Sequence, residues 1–222
     1  MNPEYIFFDL DGTLTDSYSG IRNSLLYALK ALSLPGPPKE KLRSIIGPPL
    51  QDIFADILET DDPRRIDKAV ALYRQYYKAK GIFENRVYNG VFPLLQHLLS
   101  DGRTLAVVTS KPWVFADKIV DHFRMRSFFT SVYGPELDGT RKNKIDLLRY
   151  ALDAMGVKPD GNAVMVGDRW HDIRAAHENR LTGIGVLWGY GGRTELEQAG
   201  ADRLCASPAQ LSDALMGGNG TR

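Results

Sequence analysis

Only one cysteine, Cys205, occurs among 222 residues, so no intrachain disulfide can form and the thiol usage suits a reducing compartment. Histidine is nearly as scarce. His97, His122, His171 and His177 are scattered along the chain and form no cluster with zinc-ligand spacing. No apolar run exceeds five residues (Ala69–Tyr73 is one), against the roughly 18 that a bilayer crossing needs. A secretion signal would open basic and continue uncharged, whereas Glu4 and Asp9 interrupt this N-terminus. Charge of one sign is missing too. With 28 basic and 27 acidic residues the net charge is +1, which argues against partners recruited by a global field, nucleic acid or anionic membrane. Repeats are absent, and the short tail Gly217–Thr221 is the nearest approach to low complexity. At 43% hydrophobic and 25% charged residues the chain has enough apolar content for a folded core, so a soluble, globular, cytoplasmic protein is expected.

What is present is an alternation of short apolar runs and helical periodicity. Tyr5–Leu10 is a buried-strand pattern running into Asp11-Gly12. Leu105–Thr109, Ala163–Gly167 and, less cleanly, Gly183–Leu187 repeat it. Unbroken Val/Ile/Leu runs of this kind suit strands covered on both faces, as in a parallel sheet. Between them, Val91–Ser100 carries Leu94, Leu95, Leu98 and Leu99 and stops at Gly102. Pro112 opens a second helix with Val114, Ile119 and Phe123 as inward candidates. Lys144–Met155 presents Leu147, Leu148, Ala151 and Met155, closed by Gly156. The prediction is an α/β fold built on a doubly wound parallel sheet.

Residues 17–85 break the alternation and contain no strand signal. Ile21, Leu25, Ala28, Leu29 and Leu32 form one stripe, ended by Leu34–Pro38, with Asp16 and Ser17 as the cap of that helix. A second helix is expected over Lys39–Ile46, halted by Gly47-Pro48-Pro49. A third starts at Asp62-Pro63, with Ile66, Ala69, Val70, Tyr73 and Tyr77 inward and Gly81 as its stop. This is a small all-helical cap domain, residues 17–85, inserted in a core formed by 1–16 and 86–222. Tyr73, Tyr76 and Tyr77 read as cap core and not as a stacking platform for bases.

Ligands of parallel α/β sheets sit outside the carboxyl ends of the strands. Those ends carry Asp9 and Asp11, then Thr109 and Ser110, then Asp168 and Asp172. Two carboxylates about 4 Å apart repel by roughly 4 kcal/mol at an effective dielectric near 20. Such a group needs a cation, and oxygen-only ligands select a hard one, Mg²⁺ where phosphate also coordinates. Arg169 and His171, between the last two acids, read as exposed. Trp188–Gly191 reads as packing of the rim, and Cys205 as inert.

The order Asp9-Leu-Asp11-Gly-Thr13, Thr109, a lysine, then Gly167-Asp168-x-x-x-Asp172 resembles the haloacid dehalogenase superfamily of phosphotransferases, over essentially the whole chain. The resemblance implies roles. Asp9 is the nucleophile that forms an aspartyl-phosphate, and Asp11 the general acid, whose backbone carbonyl also holds the metal. Thr109 and Ser110 bind phosphate. Lys144 balances charge on nucleophile and phosphate, with Lys142 as the alternative. Asp9 and Asp168 ligate Mg²⁺, and Asp172 orients from behind. Asp11 separates the chain from dehalogenases and the Asp9-x-Asp11 pair from phosphonate-cleaving members, while the Gly12-Thr13 continuation looks more like the phosphatases than the sugar phosphomutases. Ile46–Leu50 and Trp188–Gly191 are similar to the phosphoglycolate-phosphatase-like branch, some of whose members are read as nucleotidases. The expected activity is Mg²⁺-dependent hydrolysis of a small soluble phosphomonoester such as phosphoglycolate or a nucleoside 5′-monophosphate. Gly47, Pro48 and Pro49 are the candidates for substrate selection. A sugar phosphomutase, or a retired phosphate-ester-binding protein, remains as an alternative.

Overall fold

The structure is a computed structural model that describes residues 2–38, 42, 48–158 and 161–217. In chain order, β1 (Tyr5–Phe8) leads through β2 (Thr15–Asp16) into α1 (Tyr18–Ala31), α2 (Leu50–Leu58) and α3 (Pro63–Tyr76), the last continued by a π turn, Tyr77–Gly81. The chain returns through β3 (Arg86–Val87) to α4 (Val91–Ser100), β4 (Thr104–Val108), α5 (Trp113–His122), β5 (Ser131–Tyr133) and α6 (Lys144–Met155). It closes with β6 (Ala163–Gly167), α7 (Trp170–Glu178), β7 (Thr182–Val186), α8 (Arg193–Gln198), β8 (Arg203–Cys205) and α9 (Pro208–Leu215).

Six of the strands form a parallel sheet in the order β5-β4-β1-β6-β7-β8, and β2 pairs with β3 in a separate two-stranded ribbon. The central strands β1, β4 and β6 are apolar throughout their middles because helices cover both faces. Phe7, Ala106, Val108 and Met165 from the sheet meet Leu147, Leu148 and Ala151 of α6 and Ala175 and Ala176 of α7 in one buried cluster. Truncating Phe7, fully buried there, to alanine would cost about 3–5 kcal/mol. The doubly wound parallel sheet expected from the apolar runs is the observed core.

The two edge strands, β5 and β8, were not foreseen. Each has three residues and none or one of them buried, so neither shows an unbroken apolar run. Helix α2 is a second departure. It follows Pro48-Pro49 and buries Ile53 and Phe54. The helix expected over Lys39–Ile46 lies outside the described residues except for Leu42, which is buried. In α5 the inward face is Phe115, Ala116, Ile119 and Val120. Val114 and Phe123 are only half-buried, so the expected stripe was rotated.

Contacts divide the chain into two compact units, Met1–Thr15 with Val87–Arg222, and Asp16–Arg86. The second unit is helical. Leu25, Ala28 and Leu29 of α1 and Ala69, Val70 and Tyr73 of α3 are buried as these two helices pack together, and α2 packs on α3. Phe54 meets Tyr73 edge to face at 6.3 Å, and Tyr73 stacks on Tyr77 at 5.6 Å. Tyr73 and Tyr77 are therefore core, and Tyr76 donates its hydroxyl to Glu84 at 3.0 Å. The Asp62 side chain caps α3 by accepting from Arg64 N at 3.0 Å, with Pro63 in the first turn. At α1 the Ser17 side chain makes no cap bond. Asp16 Oδ1 accepts weakly from Tyr18 N at 3.4 Å, and Asp16 Oδ2 pairs with Arg86 at 2.8 Å.

Candidate active site

Register decides what meets at the sheet's carboxyl edge. Phe8 of β1 is paired with Val107 on one side and Val166 on the other, so the residues that follow β1, β4 and β6 emerge side by side. Each of these strands exchanges its apolar pattern for polar residues there. Asp9, Thr109 and Asp168 are all buried, and so is Asp172, in the first turn of α7. Lys144 joins them as the first residue of α6, fixed by Asn143, whose Oδ1 accepts from Ile145 N at 2.8 Å.

Within the group, Lys144 Nζ donates to Asp9 Oδ1 at 2.7 Å and also touches the Asp172 carboxylate. Asp9, Asp168 and Asp172 each offer one carboxylate oxygen, and these oxygens lie within 4.8 Å of one another. Main chain holds the acids in place. Asp172 Oδ2 accepts from Arg169 N at 3.0 Å, and Asp168 Oδ2 from Tyr190 N at 2.7 Å. The Thr13 hydroxyl reaches Asp168 Oδ1 at 3.4 Å. Two glycines make this approach possible. A β-carbon on Gly12, whose φ is +89°, would lie 2.2 Å from Asp168 Oδ2, and one on Gly189 would lie 2.3 Å from the Gly12 carbonyl. Trp188 Nε1 donates to Thr13 O at 3.0 Å, so Trp188–Gly191 packs the rim as its position suggested.

The electrostatics are unbalanced. Burial pushes Asp9 up from the ordinary carboxylate range and Asp172 adds to the effect, although Lys144 opposes both. Asp168 is raised well above that range by burial and then by the charges of Asp9 and Asp172. Burial alone would lower Lys144, but the carboxylates of Asp172 and Asp9 outweigh it and push its ammonium up. Three carboxyl groups facing one ammonium would, with all of them ionised, leave two negative charges uncompensated, the charge of one divalent cation. An all-oxygen donor set fits a hard ion of that charge. Lys144 engages both Asp9 and Asp172, and all three carboxylates are candidate donors to such an ion.

The remaining residues singled out in the sequence are spread unevenly. Asp11 is not part of the carboxylate group. Its Oδ2 pairs with Lys111 Nζ at 2.7 Å. Thr109 is buried, and its Oγ1 accepts from Lys111 N at 3.3 Å, which leaves its proton free to be donated elsewhere. Ser110 is half-buried, and Lys142 is exposed where Lys144 is buried. Pro48 and Pro49 belong to the helical unit, where Pro49 stands at the start of α2, and Gly47 lies outside the described residues. Two expectations are corrected. Arg169 is buried, its Nε bonded to Glu195 at 2.8 Å, because Glu195 of α8 folds back over the loop. His171 is half-buried and lowered to about 4 by burial and then by the charges of Lys144 and Arg169. Lys111 was missed altogether. In sequence it is one residue of a Ser-Lys-Pro helix start, and only the β1–β4 pairing sets it beside Asp11.

A family model of haloacid dehalogenase-like hydrolases matches residues 6–186, and the chain belongs to that family. It is 42% identical to a 5′-nucleotidase of Pseudomonas aeruginosa over 95% of this chain and 94% of that one. It is 37% identical to the tyrosine-protein kinase PtkA of Mycobacterium tuberculosis over 86% of this chain and 64% of that one. A solved structure, a predicted phosphatase from Clostridium acetobutylicum, superposes with a TM-score of 0.92, at 39% identity over 98% of this chain and 100% of that one. Family, relatives and structural neighbours together make the chain a phosphatase, an enzyme of the hydrolase class acting on phosphate esters.

Proposed function

We infer that the enzyme is a Mg²⁺-dependent hydrolase of a small soluble phosphomonoester, with a nucleoside 5′-monophosphate favoured over phosphoglycolate by the 42% identity to a named 5′-nucleotidase. The observation that carries the reading is the buried Asp9 carboxylate, held at 2.7 Å by Lys144 among acids whose charge exceeds that of the lysine by two.

Asp9, fixed at one oxygen by Lys144, attacks phosphorus and forms an aspartyl-phosphate, splitting one difficult displacement into two. Asp11 gives a proton to the departing oxygen and afterwards takes one from the water that cleaves the intermediate. Thr109 and Ser110 donate to the phosphate oxygens, and the Lys144 ammonium neutralises part of the charge that gathers there. The carboxylates of Asp9 and Asp168 and the main-chain carbonyl of Asp11 would hold Mg²⁺, which would supply the remaining positive charge facing the phosphoryl group. Asp172 keeps Lys144 aimed at Asp9. Gly47, Pro48 and Pro49 discriminate among esters. The chain works in the cytoplasm on a small molecule and needs no nucleic acid or membrane.

The test is release of inorganic phosphate from a panel of metabolite phosphates, ranked by kcat/KM, with Mg²⁺ and with chelator. Highest kcat/KM on a nucleoside 5′-monophosphate, lost on chelation, is expected. Isomerisation of a hexose phosphate without phosphate release would replace the reading with a mutase. Absence of turnover by folded protein on every ester, an activated aryl phosphate included, would replace it with a binding protein.

A further inference from the structure

Asp11 and Lys111 follow neighbouring parallel strands. Asp11 lies three residues beyond Phe8, the last residue of β1, and Lys111 four residues beyond Val107, the β4 residue paired with Phe8. The ammonium sits 2.7 Å from Asp11 Oδ2, and the two side chains are only 7% and 13% exposed. The backbone of Lys111 is tied to Thr109 Oγ1. The other carboxylate oxygen, Asp11 Oδ1, is buried and takes part in no hydrogen bond. A buried acceptor left unmet is costly, so an unpaired oxygen at a catalytic rim suits a partner that arrives with the substrate.

The geometry points to Lys111 as the residue that positions Asp11, an inference that rests on the reading of Asp11 as the acid. An ammonium has three donors and no acceptor. Oδ2 is therefore the oxygen that cannot carry the transferable proton, and Oδ1 is the one turned over to the leaving group. Lys111 acts on direction. It holds one end of the carboxyl still, so that the other end meets the departing oxygen, and it touches neither phosphorus nor the nucleophile.

The experiment measures kcat and KM for Lys111→Met, Lys111→Arg, Asp11→Asn and the double variant Asp11→Asn/Lys111→Met. The substrates are an alkyl phosphate, whose leaving oxygen needs a proton, and p-nitrophenyl phosphate, whose leaving oxygen does not. Lys111→Met is expected to lower kcat on the alkyl ester by about 10- to 100-fold, the scale of a misplaced catalytic group. It should change the aryl ester little and KM little on either. Lys111→Arg should recover most of the loss. On the alkyl ester, Lys111→Met should add nothing once Asp11 is asparagine. Equal loss on both esters, a rise in KM at constant kcat, or an undiminished effect in the Asp11→Asn background would each overturn the assignment. If Asp11→Asn itself affects both esters equally, the acid reading fails whatever Lys111 does. If it spares the aryl ester while Lys111→Met is silent, only the positioning role fails. Should Lys111→Met not fold, Lys111→Gln carries the same comparison.

Discussion

Two lysines are buried at the same edge of the sheet, and their surroundings differ in one respect. Lys111 pairs with the Asp11 carboxyl group, whereas Lys144 faces both Asp9 and Asp172, with Asp168 beside them. A buried one-to-one pair offsets its desolvation only in part, but it carries no net charge that calls for a further ion. A group two charges short is costly to fold and cheap to complete. The contrast separates a pair proposed to set a direction from a group that could hold an ion.

Removing Asp9, the proposed nucleophile, breaks the uncancelled group most severely. Asp9→Asn should bring turnover below detection on every ester, while the protein melts no lower than wild type, because a buried charge with raised pKa has been taken out. Residual turnover that shows saturation kinetics would remove Asp9 from its role. Chelation comes next. Activity should vanish and return with Mg²⁺, and the metal-free protein should gain about 2.7 kcal/mol of stability at a hundredfold excess over Kd. At about 2–4 °C per kcal/mol for a chain of this size, the melting temperature would rise by about 5–10 °C. Lys111→Met should leave that rise intact and Asp168→Asn should abolish it. A flat melting temperature in both proteins would mean that the missing charge is supplied otherwise.

The metal-free protein also sharpens the comparison through pH. Asp168 and Asp9 hold their protons more tightly folded than unfolded, so their contribution to stability falls as pH climbs above the ordinary value of 3.8. Asp168→Asn should flatten that decline in melting temperature across pH 5 to 8, by a few degrees. His171 works in the opposite sense and on a smaller scale. Its folded pKa of about 4 lies below the ordinary 6.5, so the stability it contributes is full at neutral pH and is lost as the solution is acidified. By pH 5 the loss is about 2 kcal/mol at 1.36 kcal/mol per unit. His171→Asn should reduce the difference between melting at pH 7.5 and at pH 5. If it does not, the imidazole is protonated in the fold.

These contrasts show how far the sequence could be read. The four central strands were legible because a strand covered on both faces must be apolar at every position, as in Ala163–Gly167. Edge strands are released from that demand, and Ser131–Tyr133 and Arg203–Cys205 carry no such imprint. Helix α2 lay behind two prolines that read as an ending, and it starts directly after them. At the rim, Asp9, Thr109, Asp168 and Asp172 were visible because each stands where an apolar strand or its turn stops, and Lys144 because it opens a periodic helix. Lys111 had no such marker. Nearly a hundred residues separate it from Asp11, and their meeting depends on strand order, which no local pattern writes down. Glu195 was hidden for the same reason, and with it the burial of Arg169.

The floor beneath Asp168 is peptide. Gly12 and Gly189 press their backbones against that carboxylate, and the Tyr190 amide completes the seat. Redesign for another ester therefore inherits a foundation that is mostly backbone, with the Thr13 hydroxyl as a side-chain contact on Asp168. Diversity has to come from walls built elsewhere, and the part of the enzyme that grips the common phosphoryl group travels unchanged from one specificity to the next.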